Sequence, residues 1–341
     1  MEVTAAVLKM GIIGAGVMGE MHARVLAEYE NADLVAVCDL NRERAESLAE
    51  RYRIPQVYVD HREMLEKTKL DAVSVATPDN RHRAPVVDAV QSGVHVLLEK
   101  PLSVTLDDGI AIVEAVRKSG KRLMVNYGNR HRPIVAQIRD ALSSGKVGRP
   151  EYFYIRTRPK LSKTLVMPWA ADTNPTMYLL SHLVDIVRWL AQDEVRTVYA
   201  VSGWGALANR GVQTPDTTVC LLTFSNGAHA TCEGSWILPD SHQPSMDLKL
   251  EILGDSGIVE SDWGHQGLNV YGKEAETLPW DWEVKDYSGK TRGWWITSVR
   301  YFVDTILAGG HPLPDETDGL AVNRVLLAII KSYSTGRTVT L

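Results

Sequence analysis

Short apolar runs alternate with amphipathic stretches over the first third of the chain. Residues 8–13, 34–38, 57–59, 72–76, 94–98 and 123–125 are apolar nearly throughout, the pattern of strands buried on both faces. Between them apolar residues recur at helical spacing: Met21, Val25 and Leu26; Ala45, Leu48, Ala49 and Tyr52; Met64 and Leu65; Ala84, Val87 and Val90; and the stretch 106–118. Asn41 stands where a helix N-cap belongs. Strands and helices in this alternation specify a doubly wound parallel sheet.

The pattern changes at Asn126. One helix follows, with Pro133 near its start, Ile134, Ile138 and Leu142 on one face and Gly145 at its end. Strands then dominate, at 151–158, 196–201, 217–224, 228–236, 247–253, 258–261 and 268–271, with Ser225-Asn226-Gly227 as a hairpin turn. Helices at 296–307 and 318–333 close the chain. The expected fold class is α/β. A doubly wound domain of Rossmann type is expected over 1–126, and an α+β domain with a large, mainly antiparallel open sheet over 127–341.

The first strand runs into Gly14-Ala15-Gly16-Val17-Met18-Gly19. Glycine at the first position permits a tight turn, at the second a close approach of pyrophosphate, and at the third close packing of the next helix. That helix aims free N–H groups and its positive end at the phosphates. The second strand ends in Asp39, where an acid accepts the ribose hydroxyls of a dinucleotide. Ligands of such sheets bind outside the carboxyl ends of the strands. Two polar turns lie there, Thr77 to His82 and Glu99-Lys100-Pro101.

A length of 341 residues accommodates two cores. Lys and Arg number 37 against 42 Asp and Glu, a net charge of -5 without a basic block, which argues against nucleic acid and anionic membranes as partners. No signal pattern and no apolar run near twenty residues is present, so a cytoplasmic location is expected. Cys38, Cys220 and Cys232 lie in apolar or alternating runs and read as buried hydrophobes; no metal site is expected. All nine tryptophans lie beyond residue 168. Trp169, just before a helix at 177–190, is the best candidate for stacking on a sugar ring. In that helix Tyr178, His182, Asp185 and Trp189 fall on one stripe, and Leu179, Leu183, Ile186 and Leu190 on an apolar one beside it. Arg158 could read an acidic substrate group, or be a solvated strand-end charge.

GAGVMG at 14–19, Asp39, ATPDNRH at 76–82, LLEKPLS at 97–103 and the helix with His182 and Asp185 together resemble the Gfo/Idh/MocA family, the glucose-fructose oxidoreductase and inositol dehydrogenase group. The resemblance spans almost the whole chain. It implies an NAD(P)-dependent oxidoreductase moving a hydride between nicotinamide and a secondary alcohol or ketone of a sugar or cyclitol. Gly14, Gly16, Val17, Met18, Gly19, Asp39, Arg42, Thr77, Asn80, His82, Glu99 and Lys100 would hold the cofactor. Asp39 disfavours a 2′-phosphate, so NAD is expected, although Arg42 and Arg44 leave NADP possible. Lys100 would be catalytic, and the Lys100–Pro101 bond is a candidate for the cis form.

His182 would be the general base, with Asp185 orienting its ring and Lys100, Arg158, Trp169, Tyr178, His182 and Asp185 meeting the substrate. The family pairs this histidine with an acid four residues earlier, where this chain has Tyr178. Tyr178 is expected to line the pocket or bind substrate, with shared proton transfer as the other role; Asp172 is a candidate replacement carboxylate. A homodimer or homotetramer through the C-terminal sheet is expected. Redox-neutral glycoside cleavage with retained NAD, and a nucleotide-sensing regulator without chemistry, are the alternative functions.

Overall fold

A computed structural model describes residues 6–166, 173–243, 245–264, 270–271, 276–277, 284–285 and 288–341. The backbone divides into two compact units, Met1–His131 with Trp282–Asn323, and Arg132–Asp281 with Arg324–Leu341.

In the first unit β1 (Leu8–Ile13), β2 (Ala32–Cys38), β3 (Gln56–Tyr58), β4 (Ala72–Val75), β5 (His95–Leu98) and β6 (Leu123–Val125) form one sheet in the order β3-β2-β1-β4-β5-β6. All of its pairings are parallel. Helices α1 (Val17–Ala27), α2 (Arg42–Tyr52), α3 (His61–Lys67), α4 (Arg83–Gln91) and α5 (Leu106–Ser119) make the crossovers. β4 and β6 are buried at every position, which is why they read as apolar runs, broken only by Ser74 in β4. Asn41 accepts a hydrogen bond from the Arg44 N–H and caps α2, and Thr105 does the same for α5 from Asp108. The strand order reverses between β1 and β4, so the loops after β1, β2, β4 and β5 gather at the edge where such folds bind dinucleotides.

A late helix, Trp294–Leu307, belongs to this same unit. It places Trp295, Ile296, Val299, Phe302 and Val303 in one core with Leu8, Met10, Ile12, Val25 and Leu26. The spacing i, i+1, i+4, i+7, i+8 is a helical stripe, and each such burial is worth roughly 1.5–3 kcal/mol. Tyr29 donates to Asp304 at 2.6 Å, and Thr291 donates twice to Glu28 at 3.0 Å. The periodicity of 296–307 announces a buried face without naming its partner, so the division at 126–127 gives this segment to the other part of the chain.

His131 packs against Tyr301 with ring centroids 4.9 Å apart. Burial, with the Arg130 guanidinium beside it, lowers its pKa to about 4. The folded-state value lies below the ordinary one near 6.5, so the stability contributed is complete above that pH and is lost as pH falls towards 4. A shift of this size corresponds to at most about 3 kcal/mol. Urea unfolding at pH 7.5 and pH 4.5 should therefore show the wild type losing about 2 kcal/mol more than His131→Gln. Equal losses in the two proteins would refute the assignment.

In the second unit β7 (Pro150–Pro159), β8 (Val195–Gly203), β9 (Thr217–Phe224), β10 (His229–Ser235), β11 (Met246–Gly254) and β12 (Ile258–Asp262) run in the order β12-β11-β7-β10-β9-β8, with Val339–Thr340 at the β8 edge. The sheet is mixed and mostly antiparallel, β7 and β10 being parallel. Phe153, Ile155, Cys220, Leu222, Ala230, Cys232, Leu250 and Ile252 are buried on one face. Tyr199, Val201 and Leu221 are exposed on the other, Tyr199 lying directly opposite Leu221 across β8 and β9. All three cysteines are free and buried. The Cys38 thiol is pushed up to about 12 by burial, and Cys232 rises through its neighbour Cys220 and burial, which leaves them unreactive.

Candidate active site

β1 ends at Ile13, and Gly14 turns the chain at φ +104°, where a side chain would meet the Ala76 carbonyl oxygen at 2.5 Å. Gly16 is the N-cap of α1, and a Cβ there would meet nothing within 4 Å, so the space above it is open. Gly19 sits so close that its Cβ would lie 1.8 Å from the Gly14 carbonyl oxygen. A tight turn, an open approach and close helix packing are the three properties of a pyrophosphate cradle. No side chain caps the first turn of α1, which leaves its N–H groups and positive end for an anion. The residues present fit a dinucleotide.

Asp39, just past β2, accepts from the Ala15 N–H at 2.7 Å and the Asn41 N–H at 2.8 Å. Its carboxylate is thereby fixed beside the glycine loop. Val17 and Met18 open α1, Val17 being exposed. Arg42 turns along α2 to Glu46 at 3.0 Å, both side chains at the surface.

At the end of β4, Thr77 is half-buried and Asn80 exposed. His82 is buried, with Nδ1 2.9 Å from the Pro101 carbonyl oxygen and Nε2 3.1 Å from that of Thr77. The ring links the turns after β4 and β5. Each contact needs an N–H, and a neutral imidazole has one. Burial lowers the His82 pKa, and the two carbonyls pull it upward. The Lys100–Pro101 peptide is cis. Lys100 is half-buried; burial lowers its pKa, while Glu99 and Asp79 act in the opposite direction.

Glu99 turns inward. Its Oε1 lies 2.9 Å from His22 Nε2 and accepts from Asn126 Nδ2 at 2.7 Å. His22 Nδ1 in turn lies 2.7 Å from Ser74 Oγ, and the ring meets Trp295 edge-on at 5.3 Å. Sequence reasoning missed His22, Ser74 and Asn126. One signal was available: Ser74 interrupts the apolar run of β4, and a polar side chain at the centre of a doubly buried strand requires a partner.

In the second unit the helix expected over 177–190 is two pieces, a π-turn Thr176–Leu180 followed by an α-helix Ser181–Ala191. The wider turn breaks the continuous stripe drawn from Tyr178 to Trp189. Asn174 accepts from the Met177 N–H at 3.0 Å at its start, and Gly234 of β10 gives it room, since a Cβ there would touch Leu180 at 3.1 Å. Tyr178 packs edge-on against buried Trp236 with centroids 5.9 Å apart. His182 is half-buried, and Asp185 is fully buried rather than on a polar face. Arg158 is held by Glu233 at 2.6 Å and Asp247 at 3.2 Å across the sheet. Trp169 and Asp172 lie outside the described residues.

The oxidoreductase family model with an NAD-binding Rossmann fold, Gfo/Idh/MocA, matches residues 8–127, and the C-terminal domain of the same family matches 135–260. An inositol 2-dehydrogenase from Acidothermus cellulolyticus is 32% identical over 74% of this chain and 72% of its own. The chain belongs to the Gfo/Idh/MocA family. It is therefore an oxidoreductase with an NAD-binding domain, in a family that includes sugar and cyclitol dehydrogenases. D-apiose dehydrogenase from Paraburkholderia graminis is 27% identical over 98% of this chain and 89% of its own. In fold the chain resembles scyllo-inositol dehydrogenase from Lactobacillus casei with bound NAD(H) and scyllo-inositol, at a TM-score of 0.85, 17% identity and 98% and 99% coverage. No helix among the described residues is long and apolar enough to cross a membrane.

Proposed function

We propose that this protein is an NAD-dependent dehydrogenase for a secondary alcohol of a cyclitol, sugar or close derivative. The observation that carries the reading lies in one sheet: the glycine loop follows β1, Asp39 follows β2 and Lys100 follows β5, all at the strands' carboxyl ends. The inositol 2-dehydrogenase and D-apiose dehydrogenase relatives support the substrate class.

When bound, the nicotinamide supplies the acceptor for a hydride from the carbinol carbon. Lys100 donates a hydrogen bond to the alcohol oxygen and stabilises the negative charge that develops there. In this reading His182 is the general base, since an imidazole exchanges protons near neutral pH. Tyr178 has its ring seated on Trp236, which supports a lining role over a proton-transfer role. Arg158 already has two carboxylate partners, so a role in binding substrate would require it to leave one of them.

Absorbance at the NADH band, with purified protein, NAD or NADP and a panel of cyclitols, free sugars, glycosides and sugar acids, tests the reading; no reduction of either nucleotide by any member would sink it. The Asp39 carboxylate, fixed beside the glycine loop, would repel a 2′-phosphate, so NAD should be preferred, and Asp39→Ala should reduce the NAD to NADP ratio of kcat/KM at least about tenfold. An unchanged ratio would remove Asp39 as the discriminating group. The open sheet face with Tyr199, Val201 and Leu221 fits a second copy of the chain. Sedimentation velocity at micromolar concentration should show a dimer or larger, and a monomer would overturn that assignment.

A further inference from the structure

Ser74, His22, Glu99 and Asn126 are buried together in the first unit, Ser74 and His22 completely. Serine, histidine and carboxylate are joined in series at 2.7 and 2.9 Å, the connectivity of a nucleophilic triad. Ser74 lies in the middle of the sheet with no exposed surface, so no substrate reaches its hydroxyl and hydrolysis is excluded for this cluster. Its role is electrostatic and positional.

Ser74 Oγ bonds Nδ1 at 2.7 Å, Nε2–H donates to Glu99 at 2.9 Å, and Asn126 donates to the same carboxylate oxygen at 2.7 Å, so the carboxylate is gripped by two donors from separate elements. Burial drives the Glu99 pKa up, but the hydrogen bond and charge of His22, the bond from Asn126 and the charge of Lys100 outweigh it, and the carboxyl stays below its usual range. A buried carboxylate is costly unless hydrogen-bonded and faced by positive charge; His22 bonds it directly and Lys100 is the next residue.

We propose that Glu99, gripped by His22 and Asn126, is a positioning residue for Lys100: its buried negative charge compensates the ammonium, and its hydrogen bonds fix the strand end that carries it. The proposal rests on the reading of Lys100 as the residue that bonds the reacting hydroxyl. Lys100 is faced by Glu99 beside it and by Asp79 from the turn after β4. Glu99 is faced by His22 of α1, Asn126 after β6 and Lys100; His22 is faced by Ser74 of β4 and Trp295 of the late helix. Removing the Glu99 charge leaves Asp79 as the acidic group that favours the protonated amine.

Competitive labelling of the full-length protein with acetic anhydride between pH 6 and pH 10.5, read by peptide mass spectrometry, gives the pH of half-maximal Lys100 reactivity without any substrate. Glu99→Gln should lower that pH by about one unit. Ser74→Ala, which leaves the charge in place, should not move it. Glu99→Asp keeps the charge but withdraws it by one methylene, and should lower the pH by less than Glu99→Gln. Lys100 titrating in Glu99→Gln as in the wild type would overturn the proposal. If Glu99→Gln fails to fold, Glu99→Asp carries the test, and wild-type labelling in that variant overturns it. A merely structural Glu99 would lower stability and leave the labelling pH unmoved. With a turned-over substrate, the alkaline limb of kcat/KM should shift downward by the same amount as the label. A protein that reduces no NAD defeats the dehydrogenase reading yet still yields the labelling result, so the two failures are distinct.

Discussion

Lys100→Met lowers kcat for NAD-linked alcohol oxidation by at least about a thousandfold and leaves the Kd for NAD within about threefold. The side chain that replaces lysine keeps most of its length and loses the donor, so the hydroxyl oxygen must shed its proton without a cation beside it. A single positioned donor to a developing oxyanion is commonly worth about 10²–10³ in rate, and proton management adds to it. The same change strips the buried Glu99 carboxylate of its neighbouring cation, so stability should drop as well, by about 1–3 kcal/mol. Initial rates, NAD titration by fluorescence and urea unfolding on one preparation separate these effects. A loss of turnover below tenfold would remove Lys100 from the chemistry.

The second large effect belongs to Gly19. Its absent Cβ would lie 1.8 Å from the Gly14 carbonyl oxygen and 2.9 Å from the carbonyl carbon, both backbone atoms that cannot swing aside. Gly19→Ala therefore forces α1 away from the loop, and overpacking of this kind costs about 1–3 kcal/mol or more. Because the displaced loop carries the N–H groups meant for phosphate, NAD affinity should fall at least about a hundredfold. Gly16→Ala is the informative companion. Nothing stands within 4 Å of that Cβ, so stability should hold within about 1 kcal/mol while the new methyl obstructs the ligand. NAD binding by Gly19→Ala at wild-type strength would show that the cradle lies elsewhere.

Much of the first unit was legible because its strands are covered on both sides, which leaves apolar runs too uniform to confuse with surface strands. The glycine loop and Asp39 were legible for a chemical reason, since few other residues permit a turn at φ +104° or a bare approach to phosphate. Other features depend on pairings that no local pattern carries. Arg158 alternates outward along β7, but its partners Glu233 and Asp247 come from β10 and β11, and only the register of three strands brings them together. The π-turn at Thr176–Leu180 has the same residue types as an α-helix; Asn174 below it and Gly234 opposite it create the extra residue's room. The contacts of Glu99 are of the same kind: His22 comes from α1 and Asn126 from the turn after β6, and no local pattern joins them.

The late helix has a consequence for biosynthesis. Leu8, Met10, Val25 and Leu26 share a core with Trp295, Val299 and Phe302, so the nucleotide-binding unit lacks part of its cover until more than 160 further residues have left the ribosome after β6. During that interval the nascent chain presents an apolar flank, and closing so long a loop is slow. Expression of residues 1–131 alone would leave that flank open permanently. The core beside β1 and α1 is therefore completed late in translation, only after Trp294–Leu307 has emerged.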